Sequence, residues 1–152
     1  MITPAFKSAL HQTCENLLLE KIRDVKKQIS ELNLSFENDG KSSAGDKHET
    51  SRAMAQLETE KLHHQLHQFE IQLSTLRKLN PEKINETIQP GSLVETNNGL
   101  FYIAVPIGKI LISENEIMVI SALSPMGKLL TGKKNGSCIQ FNNLNKCIKQ
   151  IL

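Results

Sequence analysis

Apolar residues recur through the first quarter of the chain at Leu10, Cys14, Leu18, Ile22, Val25, Ile29, Leu32 and Phe36. From Ile22 onward the steps alternate between three and four, the spacing of a coiled-coil seam. Lys21, Arg23, Asp24, Lys26, Lys27 and Gln28 fill the other faces. A second series, Leu62, Leu66, Phe69, Leu73 and Leu76, repeats the same alternation. Met54 and Leu57 do not join it smoothly, which predicts a register shift there. Neither series is interrupted by Pro or Gly, whereas Asn38-Asp39-Gly40 and Ala44-Gly45 between them supply helix breakers. The pattern predicts two helices of about 30 residues, each roughly 45 Å long. A single seam pairs them most simply as an antiparallel hairpin over residues 1–80, with its tip near 38–50. Pairing of two chains through the same seam is the rival.

The pattern changes after Asn80-Pro81, since the residue before a proline avoids helical geometry. A polar linker is expected over 81–90. Beyond it, Ser92–Thr96 and Leu100–Val105 read as strands about an Asn97-Asn98-Gly99 turn. Ile110–Ile112 and Ile117–Ile120 flank a polar turn at Ser113–Glu116. Ser124-Pro125 has the form of a helix start, a capping side chain followed by proline at the first helical position. Gly132 can stop that helix. Ser137–Phe141 and Lys146–Leu152 read as the last strands. The fold class expected is α+β: a helical hairpin, then a module of five or six strands and one short helix over 91–152.

Composition narrows the function classes. Among 152 residues, 18 basic and 16 acidic side chains leave a net charge of +2. That is too balanced to bind a nucleic-acid backbone through bulk charge. Aromatics make up 4% and Trp is absent, which argues against a base-stacking platform. Cys14, Cys138 and Cys147 are widely spaced and form no CxxC pair, suggesting neither a zinc site nor a disulfide framework. A reducing cytoplasm suits them. No apolar run approaches the roughly 20 residues that span a bilayer, and residues 1–10 lack a signal-peptide core. A soluble cytoplasmic protein is expected.

The candidate chemistry lies at the turn of the hairpin. Asp46 and Glu49 stand three residues apart there. One reading is a capping box, with Asp46 at the N-cap and Glu49 at the third helical position. The other is a pair of carboxylates that hold a divalent cation, incomplete until a partner supplies further oxygen ligands. His63 and His67, with His64 beside them, have the spacing of a transition-metal pair, but no third ligand is apparent. A solvated stripe is the simpler reading of them.

Gly45-Asp46-x-x-Glu49 resembles the acidic tip of the bacterial Gre transcript-cleavage factors, GreA and GreB, which typically reads G-D-L-K-E-N-A-E-Y. Residues 120–133, Ile-Ser-Ala-Leu-Ser-Pro-Met-Gly-Lys-Leu-Leu-Thr-Gly-Lys, look like that family's I-S-V-x-S-P-I-A-R-A-L-I-G-K segment. The tip motif is weakly specific and the second segment much more so. Order of parts and chain length also agree, so the resemblance covers nearly the whole chain. It implies an FKBP-like C-terminal domain that binds RNA polymerase, and a hairpin that enters the polymerase secondary channel. Asp46 and Glu49 would then help hold the polymerase's second magnesium, so that the polymerase cleaves its own backtracked RNA. The protein would be no enzyme alone, would have no cofactor of its own, would meet nascent RNA only indirectly, would touch no membrane, and would act as a monomer. Ser124, Pro125, Met126, Lys128 and Lys133 are the expected partner-binding residues.

The chain departs from that pattern at the tip. Lys47 replaces Leu, Thr50 replaces Asn, Arg52 replaces an acid and Ala53 an aromatic. Lys47 and Arg52 compete with a metal for the acids, so a regulator that occupies the channel without cleavage is the first rival. A prolyl isomerase or chaperone-like module is the second, although Phe101, Tyr102 and Phe141 are the only aromatics of the C-terminal half. A coiled-coil adaptor is the third.

Overall fold

The computed structural model describes residues 2–39 and 45–152. Two long helices come first, α1 (Pro4–Asp39) and α2 (Gly45–Arg77). Six strands and a short helix follow: β1 (Leu93–Thr96), β2 (Gly99–Ala104), β3 (Gly108–Ile112), β4 (Asn115–Ser121), α3 (Pro125–Leu130), β5 (Cys138–Phe141) and β6 (Leu144–Ile151). The α+β class and the order of parts are those the sequence pattern implies. By packing, the chain forms two compact units: Asn16–Leu73, and Met1–Glu15 together with Ser74–Leu152.

Within the first unit, α1 and α2 run antiparallel. Lys21 lies over the ring of Phe69 at 5.5 Å, while Asn33, further along α1, shares a cavity with Ala55, Gln56 and Thr59, earlier on α2. Val25, Ile29 and Leu62 form a buried cluster, with Leu32, Leu66 and Phe69 packed against it. The seam does not end at Leu62. Thr59 and Ala55 continue it at steps of three and four, both half-buried, while Met54 and Leu57 point outward. Small and polar seam residues fill less space, and the cavity beside them measures about 240 Å³. The Thr59 hydroxyl is satisfied locally, donating to the Ala55 carbonyl at 2.8 Å.

The second unit is built on one mixed sheet in the order β3-β4-β2-β1-β6-β5. β2 and β4 are parallel neighbours, and the remaining pairs are antiparallel. Side chains alternate between the two faces. One face carries Val94, Phe101, Ile103, Ile139, Ile148 and Ile151 against Met126 and Leu130 of α3. Leu93, Tyr102, Ile117 and Val119 are buried on the other. The first turns of α1 belong to this unit, and His11 contacts Tyr102 there. The Thr3 hydroxyl accepts from the Phe6 amide at 3.1 Å, and Pro4 opens the helix, so Thr3-Pro4 is the start of α1.

Two sequence expectations need correction. Residues 81–90 are not merely a polar linker. Ile88 is fully buried in the core, its amide donates to the Lys133 carbonyl at 2.9 Å, and its carbonyl accepts from the Gly132 amide at 2.7 Å. Asn85, Gln89 and Ser92 close a hydrogen-bonded network behind it. The apolar face of α3 is Met126 with Leu130, one turn apart, and Leu129 points outward. Finally, two of the cysteines do pair, contrary to the expectation of no disulfide framework: Cys138 is exposed and disulfide-bonded to Cys147, with 4.0 Å between the Cα atoms. Spacing along the chain concealed this pairing. The β5–β6 hairpin turns on Asn142 and Asn143, both at positive φ, and sets Cys138 directly opposite Cys147.

Candidate functional site

The acidic pair sits at the end of the hairpin where α1 and α2 connect. Residues 40–44, part of the expected turn, lie outside the described residues, as do the side chains of Asp46, Lys47 and His48. Gly45 is already helical. Asp46 therefore falls within the first turn of α2. Glu49 is exposed. Positions three apart on a helix are neighbours on one face. The helix N-terminus, with its unpaired amides, also favours negative charge. Asp46 and Glu49 thus give two carboxylates within one turn at the helix end that best tolerates them. As oxygen donors they fit magnesium in kind, but two carboxylates fill only part of an octahedral shell. Among the described residues no group of three His, Cys, Asp or Glu is placed to hold a metal. His63, His64 and His67 are exposed along α2.

The second candidate surface surrounds α3. Ser124 is its N-cap: the hydroxyl accepts from the Gly127 amide at 3.0 Å and donates to the Ser121 carbonyl at 2.6 Å. Pro125 follows at the first helical position. Thr131 closes the helix, its amide and hydroxyl both donating to the Gly127 carbonyl. Gly127 sits so close to β4 that a Cβ would stand 2.1 Å from the Ser121 carbonyl oxygen. Lys128 and Lys133 are exposed, whereas Met126 is buried in the core and offers no surface. Leu123, 79% exposed, and Leu129 are the apolar side chains that α3 and its lead-in present to solvent. The sequence reading passed over Leu123 because a lone apolar residue in a loop carries no periodic signal.

A buried polar cluster on α1 was also missed. Lys7, His11 and Cys14 recur at steps of four and three, so one helical face carries all three. Lys7 is buried, its ammonium donating to the Lys83 carbonyl at 2.6 Å. Loss of water, with Lys83 nearby, lowers its pKa to about 8. The His11 Nδ1 and the Tyr102 hydroxyl are 2.7 Å apart. Burial holds His11 below the usual imidazole value, with Glu15 opposing and Lys7 adding to the shift. Burial raises Tyr102 and pushes the Cys14 thiol up to about 12. At neutral pH His11, Cys14 and Tyr102 are therefore neutral, and the cluster anchors the start of α1 without reactive groups.

A helical hairpin with carboxylates at its connecting end, joined to a mixed six-stranded sheet with one short helix, defines the architecture. No protein-family model and no curated protein sequence matches the chain. Among solved structures, it is similar to the GreA factor homolog 1 (Gfh1) protein of Thermus thermophilus, with 17% identity over 91% of this chain and 94% of that one, at a TM-score of 0.35. A second structure, titled as that of the transcription factor Gfh1, gives 21% identity over 88% of this chain and 92% of the other, at a TM-score of 0.37.

Proposed function

We propose that this protein is a Gre-like transcription factor that binds RNA polymerase, inserts its helical hairpin into the secondary channel and stimulates cleavage of backtracked RNA. The observation that carries the reading is the joint placement of two sequence motifs. Asp46 and Glu49 fall at the connecting end of an antiparallel hairpin. The Ser124–Lys133 segment contains the capped helix α3, which packs on one face of the sheet. Each hairpin arm within the Asn16–Leu73 unit is roughly 35–45 Å long at 1.5 Å per residue. That is long enough to carry two carboxylates into a deep, narrow site.

In this reading Asp46 and Glu49 present their oxygens to a magnesium that the polymerase active site also holds. A bound second metal supplies charge stabilisation to the attacking and leaving oxygens of a phosphodiester. The chain's own part is to carry positions 46 and 49 within the first turns of α2. Nuclease activity belongs to the polymerase. Lys128, Lys133, Leu123 and Leu129 form the surface about Ser124 and Pro125 that docks on it.

A second reading, occupation of the channel without cleavage, is favoured by Lys47 and Arg52 beside the acids, since cations compete with magnesium for carboxylates. Binding of the full-length chain to a bacterial core RNA polymerase tests the shared part of both. Wild type and Asp46→Ala/Glu49→Ala should bind alike, while Leu123→Asp/Lys128→Glu weakens binding at least tenfold. Absence of binding by the wild type would contradict both readings.

A further inference from the structure

The cysteines paired across β5 and β6 do something the fold does not require of them. The four residue pairs of that ladder and the burial of Ile139, Ile148 and Ile151 already join the two strands to the core. Cys138 and Cys147 lie on the opposite face from that core, by the alternation of side chains along each strand. Among the described residues β5 is an edge strand with β6 as its only sheet neighbour. The two sulfurs also differ. Cys138 is exposed, while Cys147 is half-buried. Asn145 directs its side-chain amide at the Cys147 sulfur from 3.9 Å, and the Cys147 amide is held by the Asn97 side chain at 2.7 Å. The third cysteine, Cys14, is buried with its thiol pushed up to about 12, so it is a poor partner for exchange.

We infer that Cys138–Cys147 is a reversible thiol–disulfide exchange site for low-molecular-weight thiols, attacked at Cys138 and releasing Cys147. An external thiolate bonds to the Cys138 sulfur as the bond to Cys147 breaks, and the electron pair leaves on the Cys147 sulfur. The Asn145 amide is placed to donate to that developing thiolate, and a better-stabilised leaving thiolate departs faster. A second external thiolate then attacks the mixed disulfide on its own sulfur, freeing Cys138 and forming the external disulfide. Two external thiols are thereby oxidised and the protein disulfide reduced, with two electrons transferred. The reverse sequence, with an oxidised external disulfide as acceptor, closes the pair again.

Equilibration of the full-length protein in glutathione buffers of varied ratio, followed by acid quench, alkylation and mass spectrometry, tests this directly. Two thiols per chain should become alkylated together as reduced glutathione increases, with Cys14 unlabelled and the circular dichroism spectrum unchanged. Cys147→Ser should accumulate a glutathione adduct on Cys138, and Cys138→Ser should accumulate several-fold less on Cys147. A disulfide that persists until the protein unfolds would show a structural staple and overturn the inference. So would a wild-type chain that stays dithiol in oxidised glutathione, or an adduct that prefers Cys147. The wild-type titration decides the matter even if a serine variant fails to fold.

Discussion

Single residues fix much of this molecule's geometry. Gly127 is one such point: its missing side chain lets α3 lie against the Ser121 carbonyl. Gly127→Ala should lower stability by about 1–3 kcal/mol, the usual cost of overpacking, measured as a shift in denaturation midpoint at unchanged slope. His11 makes stability depend on pH. Its folded pKa lies below the unfolded value of 6.5, so the unfolded chain binds more protons between the two. The contribution is complete above pH 6.5 and is lost as pH falls through the folded pKa. Lys7 acts by the same sign from about pH 8, as the unfolded chain retains the proton longer, until above about pH 9 the buried Cys14 thiol, which the unfolded chain deprotonates first, opposes it. Thermal melts across pH 5 to 9 should show both slopes; His11→Phe should flatten the acidic one and Lys7→Met the alkaline one.

At the scale of elements, the helices were legible because large apolar residues mark a seam at regular steps. Leu10 through Ile29 and Leu62 through Leu76 are the residues that pack. The pattern failed where the seam is small or polar. Ala55 and Thr59 carry no hydrophobic signal, so Met54 and Leu57 drew attention although they are 66% exposed. Ile29→Ala in the packed half of the seam should cost about 2–5 kcal/mol. Ala55→Leu, which projects into the cavity beside Asn33 and Thr59, should instead stabilise by about 0.5–2 kcal/mol. Both are read from chemical denaturation; a destabilising Ala55→Leu would show that the gap holds a hydrogen-bonded network and is not spare volume. Strands were read well where alternation was clear, as in β1, β2 and β4. The β5–β6 disulfide was hidden because its signal is a turn and not a spacing. Asn142-Asn143 suits a two-residue hairpin at positive φ, and counting outward from it by four pairs Cys138 with Cys147. The start of α1 was missed in the same way: Thr3-Pro4 is a cap signal ahead of any periodic residue.

For the whole molecule, the two motifs that a sequence can show are on the hairpin end and on α3, and what it could not show is what each surface presents. Met126 belongs to the core, Leu123 to the surface, and Asp46 to a helical turn already begun. Antiparallel pairing within one chain packs Val25 and Ile29 against Leu62, Leu66 and Phe69, so sedimentation velocity should give one monomeric species whose coefficient does not rise with concentration. A dimer would return the seam to the intermolecular alternative. The central claim is that the hairpin end serves a polymerase active site. Its most direct test is transcript cleavage by a bacterial RNA polymerase stalled on backtracked RNA, with magnesium, and with either the wild-type chain or Asp46→Ala/Glu49→Ala. Wild type should shorten labelled RNA at least a hundredfold faster than the double variant, which should stay near the polymerase's unaided rate. Intact RNA with wild type bound, or equal shortening by both proteins, would contradict the role given to the two acids.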